Sequence, residues 1–171
     1  KVVAEKQLVH KSRFFIENKR LGKGGALKNA LKLGLIDRKR PFLIMFPDDF
    51  FIGKDLPVRI ISEHLKGLKK GCKASVLTAD KFKCAYGVVK KKSDNIVECF
   101  EEKPYLPVSV NTGIFVFEPE MYSFFDELID MENVPVDYES TVAPALAKQG
   151  LIYAIDFPFE NWIAVNDENG L

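Results

Sequence analysis

The stretch Pro41-Phe42-Leu43-Ile44-Met45-Phe46-Pro47-Asp48-Asp49 constrains this chain more than any other. Five consecutive apolar residues, Phe42 to Phe46, leave no polar face, so a strand built from them is expected to be buried on both sides. Such a strand belongs to a parallel sheet, whose two faces are covered by helices. Two carboxylates follow at once. Ligands of open α/β sheets collect at the carboxyl ends of the strands. Adjacent acids there point to a hard divalent cation, and through it to a phosphate-bearing substrate.

The flanking sequence supplies the rest of an α/β rhythm. Val2 to His10 is compatible with a helix and Arg13 to Glu17 with a short strand. Gly24 to Leu33 reads as a helix opened by glycines and closed by Gly34. A second helix is expected from about Val58 to Leu68, with Ile60, Ile61, His64, Leu65 and Leu68 at helical spacing, ending before Gly71. Lys73 to Ala79 is the next strand. The second half changes character: Gly87 to Lys92 and Ile96 to Glu101 flank a Ser93-Asp94-Asn95 turn and read as a hairpin. Gly113 to Phe117 is a further apolar strand. Pro119 can start a helix over Glu120 to Met131, Ser140 can cap another that runs to Gln149, and Leu151 to Ile155 is a late strand. There is no internal repeat and no low-complexity linker, so one mixed α/β unit is expected.

Composition narrows the classes. At 171 residues the chain can bury one proper core. Lys+Arg 25 against Asp+Glu 24 leaves a net charge of +1, too small a field to recruit nucleic acid or an anionic membrane. No apolar run reaches the length of a membrane span, and the first residues lack the layout of a signal peptide. Cys72, Cys84 and Cys99 are odd in number and share no C-x-x-C spacing, which argues against zinc or a disulfide framework and for the reducing cytoplasm.

Five motifs carry chemistry. Leu21-Gly22-Lys23-Gly24-Gly25-Ala26-Leu27 leads into a helix; glycines there admit a ligand close to the backbone, and a helix start points unsatisfied N–H groups outward. A plain tight turn accounts for it equally well. In Glu101-Glu102-Lys103-Pro104 the proline should hold Lys103 extended, a Glu can accept from sugar hydroxyls, and a Lys can meet a phosphate as a point charge. A solvated strand end is the bland alternative. Tyr86-Gly87-Val88-Val89 opens a strand on a glycine, which marks a bend or a ligand's close approach. Val110-Asn111-Thr112-Gly113 precedes a buried strand. Trp162 to Asp167 ends on an amide and a carboxylate, either a turn or oxygen donors to a cation. His10 and His64 have no relay partners, and His64 is expected to be structural.

In this order the motifs resemble those of the sugar-1-phosphate nucleotidyltransferases, the nucleotide-sugar pyrophosphorylases. The resemblance runs from about Phe14 to Leu171, and Glu-Lys-Pro with Asn-x-Gly-Ile-Phe-Val-Phe are its most specific pieces. It implies a Rossmann-like, three-layer, mixed and mainly parallel sheet of the GT-A type. Nothing before Phe14 resembles the family's Gly-x-Gly-Thr-Arg loop, so residues 1–171 are expected to form a single nucleotidyltransferase-like domain that lacks its first βαβ unit and belongs to a longer catalytic domain.

The resemblance also implies roles. Gly22, Lys23, Gly24, Gly25 and Ala26 would lie against the nucleotide, with Lys23 and Gly24 departing from the usual threonine and alanine. Asp48 would hold Mg²⁺, and Asp49 matches a more variable position. Gly87, Glu102, Asn111 and Thr112 would form the sugar pocket, and Lys103 would hold the sugar phosphate. Many relatives carry an aspartate where this chain has Ala164, so Asn166 is the candidate second metal ligand, ahead of Asp167. The implied reaction is nucleotidyl transfer from an NTP to a sugar 1-phosphate, of glucose uridylyl, thymidylyl or mannose guanylyl type, by a cytoplasmic protein for which homo-oligomeric assembly is open. Two alternatives are a non-catalytic module that binds nucleotide sugar or sugar phosphate and, ranked third, a glycosyltransferase of similar architecture.

Overall fold

The structure, a computed structural model, describes residues 12–165. The expected helix over Val2 to His10 and the candidate ligands Asn166 and Asp167 lie outside them. The chain forms α1 (Gly22–Lys32), β1 (Phe42–Ile44), β2 (Asp49–Phe51), α2 (Leu56–Lys69), β3 (Ala74–Ala79), β4 (Phe82–Lys83), β5 (Val88–Lys91), β6 (Val97–Glu101), β7 (Tyr105–Leu106), β8 (Val110–Phe117), α3 (Tyr122–Leu128), α4 (Val142–Lys148), β9 (Ile152–Phe157) and β10 (Trp162–Ala164). The contacts of the described residues group into two compact units, residues 12–42 with 117–152, and residues 43–116 with 153–165.

The second unit carries the main sheet, in the order β1-β8-β3-β9, and three two-stranded ribbons, β2 with β10, β4 with β7 and β5 with β6. α2 packs on it because Leu56, Ile60, His64 and Gly67 recur on one face. Leu56 and Ile60 enter a core with Leu77, Ile114, Ile155 and Phe157. His64 is buried and its Nδ1 lies 2.8 Å from Ser75 Oγ, tying the helix to β3, so it is structural as expected. Ile61 and Leu65, expected on the buried face, point outward instead.

The first unit is built around aromatic rings. Phe117 stacks on Phe42 and meets Phe125 edge-on, with Tyr138 closing the group. Tyr122 Oη donates to the Arg40 carbonyl, and burial pushes its phenol up to about 12, so it stays a donor at any ordinary pH. Arg38 holds Asp126 through both carboxylate oxygens, at 2.7 and 2.9 Å.

Glycine ends α1, α2 and α4 in one way. Past α1, Gly34 takes φ +68°, its N–H donates to Leu31 and that of Leu35 to Ala30. Gly71 and Gly150 repeat the pattern after α2 and α4. These are Schellman motifs, in which the left-handed residue turns the next N–H groups back onto orphan carbonyls.

Several expectations are corrected. The strand at Phe42 is only three residues long and sits at one edge of the described sheet, so it has one neighbour and not two. Leu43 and Met45 are about half exposed, at 48% and 49%, and alternate with half-buried Phe42, Ile44 and Phe46, so one face of the strand is left uncovered. The strand buried on both faces is β3, where five of six residues are buried. Residues 13–17 are irregular, not a strand, with Phe14 and Ile16 exposed. The helix expected over 120–131 is a 3₁₀ turn at Pro119–Met121 followed by α3, and stops where Ile129 turns extended. Ser140 does not cap α4; its hydroxyl donates back to the Asp137 carbonyl, and Thr141 occupies the cap position.

A Cβ on Gly67 would stand 2.7 Å from Tyr153 Cβ. Gly67→Ala should therefore lower the stability of the protein by about 1–3 kcal/mol, a typical overpacking cost, read as a shift in the denaturant midpoint.

Candidate active site

Within the second unit the expected residues fall into two groups. The first gathers at the carboxyl end of β1. Pro47 and Asp48 form a turn and Asp49 begins β2, which pairs antiparallel with β10 so that Ala164 faces Asp49, Ile163 faces Phe50 and Trp162 faces Phe51. The Val165 N–H donates to the Asp48 carbonyl at 3.0 Å, which carries the pairing one residue further. Asp48 is exposed. Asp49 is half-buried and accepts the Trp162 indole N–H at 2.8 Å.

Asn111 and Gly113 complete this group. Asn111 Oδ1 accepts the Gly113 N–H at 2.8 Å, and Gly113 takes φ +84° inside β8. A Cβ there would lie 2.9 Å from the Phe46 ring and 3.4 Å from Asp49 Oδ2. The left-handed backbone and the Phe46 ring require glycine here, while the Asp49 carboxylate stands at ordinary contact distance. Thr112, expected in the sugar pocket, is buried and donates to the Leu77 carbonyl at 2.9 Å. Strand alternation turns its side chain into the core, away from any ligand.

The second group lies on the β5–β6 hairpin. Gly87 precedes β5, and a Cβ on it would lie 2.9 Å from both Glu102 Oε2 and the Phe100 ring. Gly87 and Glu102 are thus brought together, with Phe100 between strand and glycine. Lys103 is not extended as its proline neighbour suggested; it takes φ +47°. The turn is held because the Cys84 N–H donates to the Pro104 carbonyl at 2.9 Å and β4 pairs with β7 just beyond. Left-handed backbone is costly for a side chain with a Cβ, and such strain clusters at ligand-binding positions.

The glycine segment belongs to the first unit, and here the expected outward N–H groups are already used. Gly24 and Gly25 donate to the Val136 carbonyl at 2.9 and 3.2 Å, Lys23 N–H to Asp137 Oδ1 at 2.8 Å, and Val136 N–H returns to Leu21. A Cβ on Gly22 would lie 2.6 Å from Val136 backbone atoms, and one on Gly24 2.7 Å from Ile129. These glycines therefore admit the chain's own 134–138 segment. Lys23 pairs with Glu139. Burial, reinforced by Glu139 and Asp137, pushes the Tyr138 phenol well up, so it remains protonated. Ala26 follows on α1, half-buried.

Among the described residues no three His, Cys, Asp or Glu side chains gather as a metal cage. An exposed Asp48 still fits Mg²⁺, which takes one or two carboxylates and fills its remaining positions with water and substrate phosphates.

With this geometry in view, the comparisons are informative. A family model described as nucleotidyl transferase matches residues 3–165. The chain belongs to the nucleotidyl transferase family. It is 32% identical over 146 residues to a mannose-1-phosphate guanylyltransferase catalytic subunit beta of Drosophila pseudoobscura pseudoobscura, covering 84% of this chain and 36% of that protein. It is 28% identical over 159 residues to a UTP–glucose-1-phosphate uridylyltransferase of Synechocystis, covering 86% and 37%. The chain thus spans little more than a third of these relatives. Among solved structures, a Bacillus anthracis protein in complex with sucrose superposes with a TM-score of 0.62 at 16% identity, covering 92% of this chain and 61% of that one. HddC from Yersinia pseudotuberculosis does so at 0.57 and 20%, covering 99% and 68%. These likenesses carry the fold, which is α/β as the sequence implied.

The sequence placed Gly113 and Trp162 in motifs but gave them no role, and it did not mark Phe100. A glycine inside an apolar strand was the available signal for Gly113; nothing local marks the other two. The strain at Lys103 is testable. Lys103→Gly should raise stability by up to about 1 kcal/mol, relief of left-handed strain less the entropy of glycine, whereas Lys103→Ala should give no such gain in denaturant melts.

Proposed function

We propose that the complete protein transfers a nucleotidyl group from an NTP to a sugar 1-phosphate, releasing pyrophosphate, and that residues 1–171 form one nucleotidyltransferase-like domain within it. The observation that carries this reading is the meeting of Asp48 with the Trp162–Val165 strand at the carboxyl end of β1, in a chain of this family.

In the reaction a sugar phosphate oxygen bonds to the α-phosphorus as the bond to pyrophosphate breaks. Asp48 and Asn166 would hold Mg²⁺, which supplies neutralisation of charge on the phosphate oxygens when bound. The chain's own residues orient the partners. Lys103 meets the sugar phosphate as a point charge, and its fixed turn limits the backbone freedom lost on binding. Glu102 accepts from sugar hydroxyls beside the bare backbone of Gly87, and Asn111 completes the pocket. Residues 22–26, including Lys23, lie against the nucleotide. Because the Gly24 and Gly25 N–H groups are committed to Val136, contact there is through shape. The cytoplasm is the proposed compartment, on the strength of three free cysteines. No helix among the described residues is long and apolar enough to cross a membrane.

That same commitment of N–H groups favours one second reading, a module that binds a sugar phosphate without turnover. Pyrophosphate release separates the two. Asp48→Ala in the complete protein should abolish Mg²⁺-dependent release, and activity that survives it would remove the assignment. Lys103→Ala should raise the KM for sugar 1-phosphate about tenfold or more, the weight of a lost charge-assisted hydrogen bond.

A further inference from the structure

Asp48 and Asp49 are neighbours in sequence, yet their surroundings differ. Consecutive side chains of a strand leave on opposite faces. Asp49, the first residue of β2, is half-buried, bonded to the Trp162 indole at 2.8 Å and close against Gly113. Asp48 precedes it in the turn and is exposed. The register explains how the indole reaches Asp49. Trp162 stands opposite Phe51 and Ala164 opposite Asp49, so Trp162 and Asp49 are diagonal neighbours on one face of the ribbon. An aromatic side chain can span that diagonal. Directly across from Asp49 stands only the methyl group of Ala164, which leaves the diagonal open.

The ribbon is a short one. Its three residue pairs are extended by two loop bonds, Ile52 N–H to Asn161 at one end and Val165 N–H to Asp48 at the other. Two strands of this length are marginal without side-chain support. The part-buried indole–carboxylate bond supplies that support beside the turn that carries Asp48.

We propose that Asp49 and Trp162 are positioning residues: their bond locks β2 onto β10 so that the Asp48 carboxylate, and not that of Asp49, faces the divalent cation. This rests on the reading of Asp48 as the metal acid. Asp49 then serves as an acceptor whose charge is dispensable, while Trp162 serves through its N–H.

Direct titration of the complete protein with Mn²⁺ alone, followed by water proton relaxation, tests the assignment, with thermal melting alongside. Asp48→Asn should abolish binding. Trp162→Phe, which keeps a ring but has no N–H, should weaken Mn²⁺ about tenfold, and Asp49→Asn, which keeps an acceptor oxygen for the indole, should stay within about twofold of the unaltered protein. Asp49→Leu should behave as Trp162→Phe does. If Asp49→Asn loses Mn²⁺ as fully as Asp48→Asn, Asp49 is itself a ligand and the assignment is overturned. Unchanged affinity in Trp162→Phe, whatever its melting temperature, overturns it as well. If the unaltered protein binds no Mn²⁺, or Asp48→Asn binds it normally, the reading of Asp48 as the metal acid fails and takes this assignment with it; that failure is recognised from Asp48, the narrower one from Asp49 and Trp162.

Discussion

The pairing of β2 with β10 is the contact on which the candidate site depends. It joins residues more than a hundred positions apart, and it is what gives Asp48 a neighbour from the end of the described chain. Closing so long a loop costs conformational entropy that grows only slowly with length. Three backbone pairs recover little of it, so the burden passes to what the ribbon packs against: Phe51 and Trp162 lie against the Leu77, Ile114 and Phe157 core. The acids are thus held at the surface by rings anchored beneath them.

Glycine makes the complementary contribution. At Gly87 a ring and a carboxylate, and at Gly113 a ring, come closer to the backbone than a Cβ would allow. The two groups of side chains share this device although they lie on different ribbons. At Gly87, which is half-buried, it places a polar tip and an apolar face beside bare main chain, a combination suited to a ligand with both hydroxyls and ring faces.

Much of this was legible. The hairpin of β5 and β6, the glycine stops after α1 and α2, and the start of a helical turn at Pro119 all follow from local chemistry that acts within a few residues. The errors have a common origin in partners that local patterns do not name. Phe42 to Phe46 reads as a buried strand because it is apolar, but burial depends on what covers each face, and here every second residue is exposed. Lys103 reads as extended because proline follows it, yet the bond from Cys84 and the β4–β7 pairing turn it left-handed. Thr112 belongs to an exposed-looking polar pair, and strand alternation sends it inward. Trp162 carries no local sign that its indole is meant for Asp49.

The glycine-led start of α1 has one more consequence. A helix begins with a concentration of positive partial charge, and here that charge meets the Val136 carbonyl and the Asp137 carboxylate, with Glu139 drawing off Lys23. The end of the helix is electrically spent on its own chain. In the proposed contact with a nucleotide, the segment therefore brings no main-chain donor from Gly24 or Gly25, and discrimination by charge falls to other parts of the molecule.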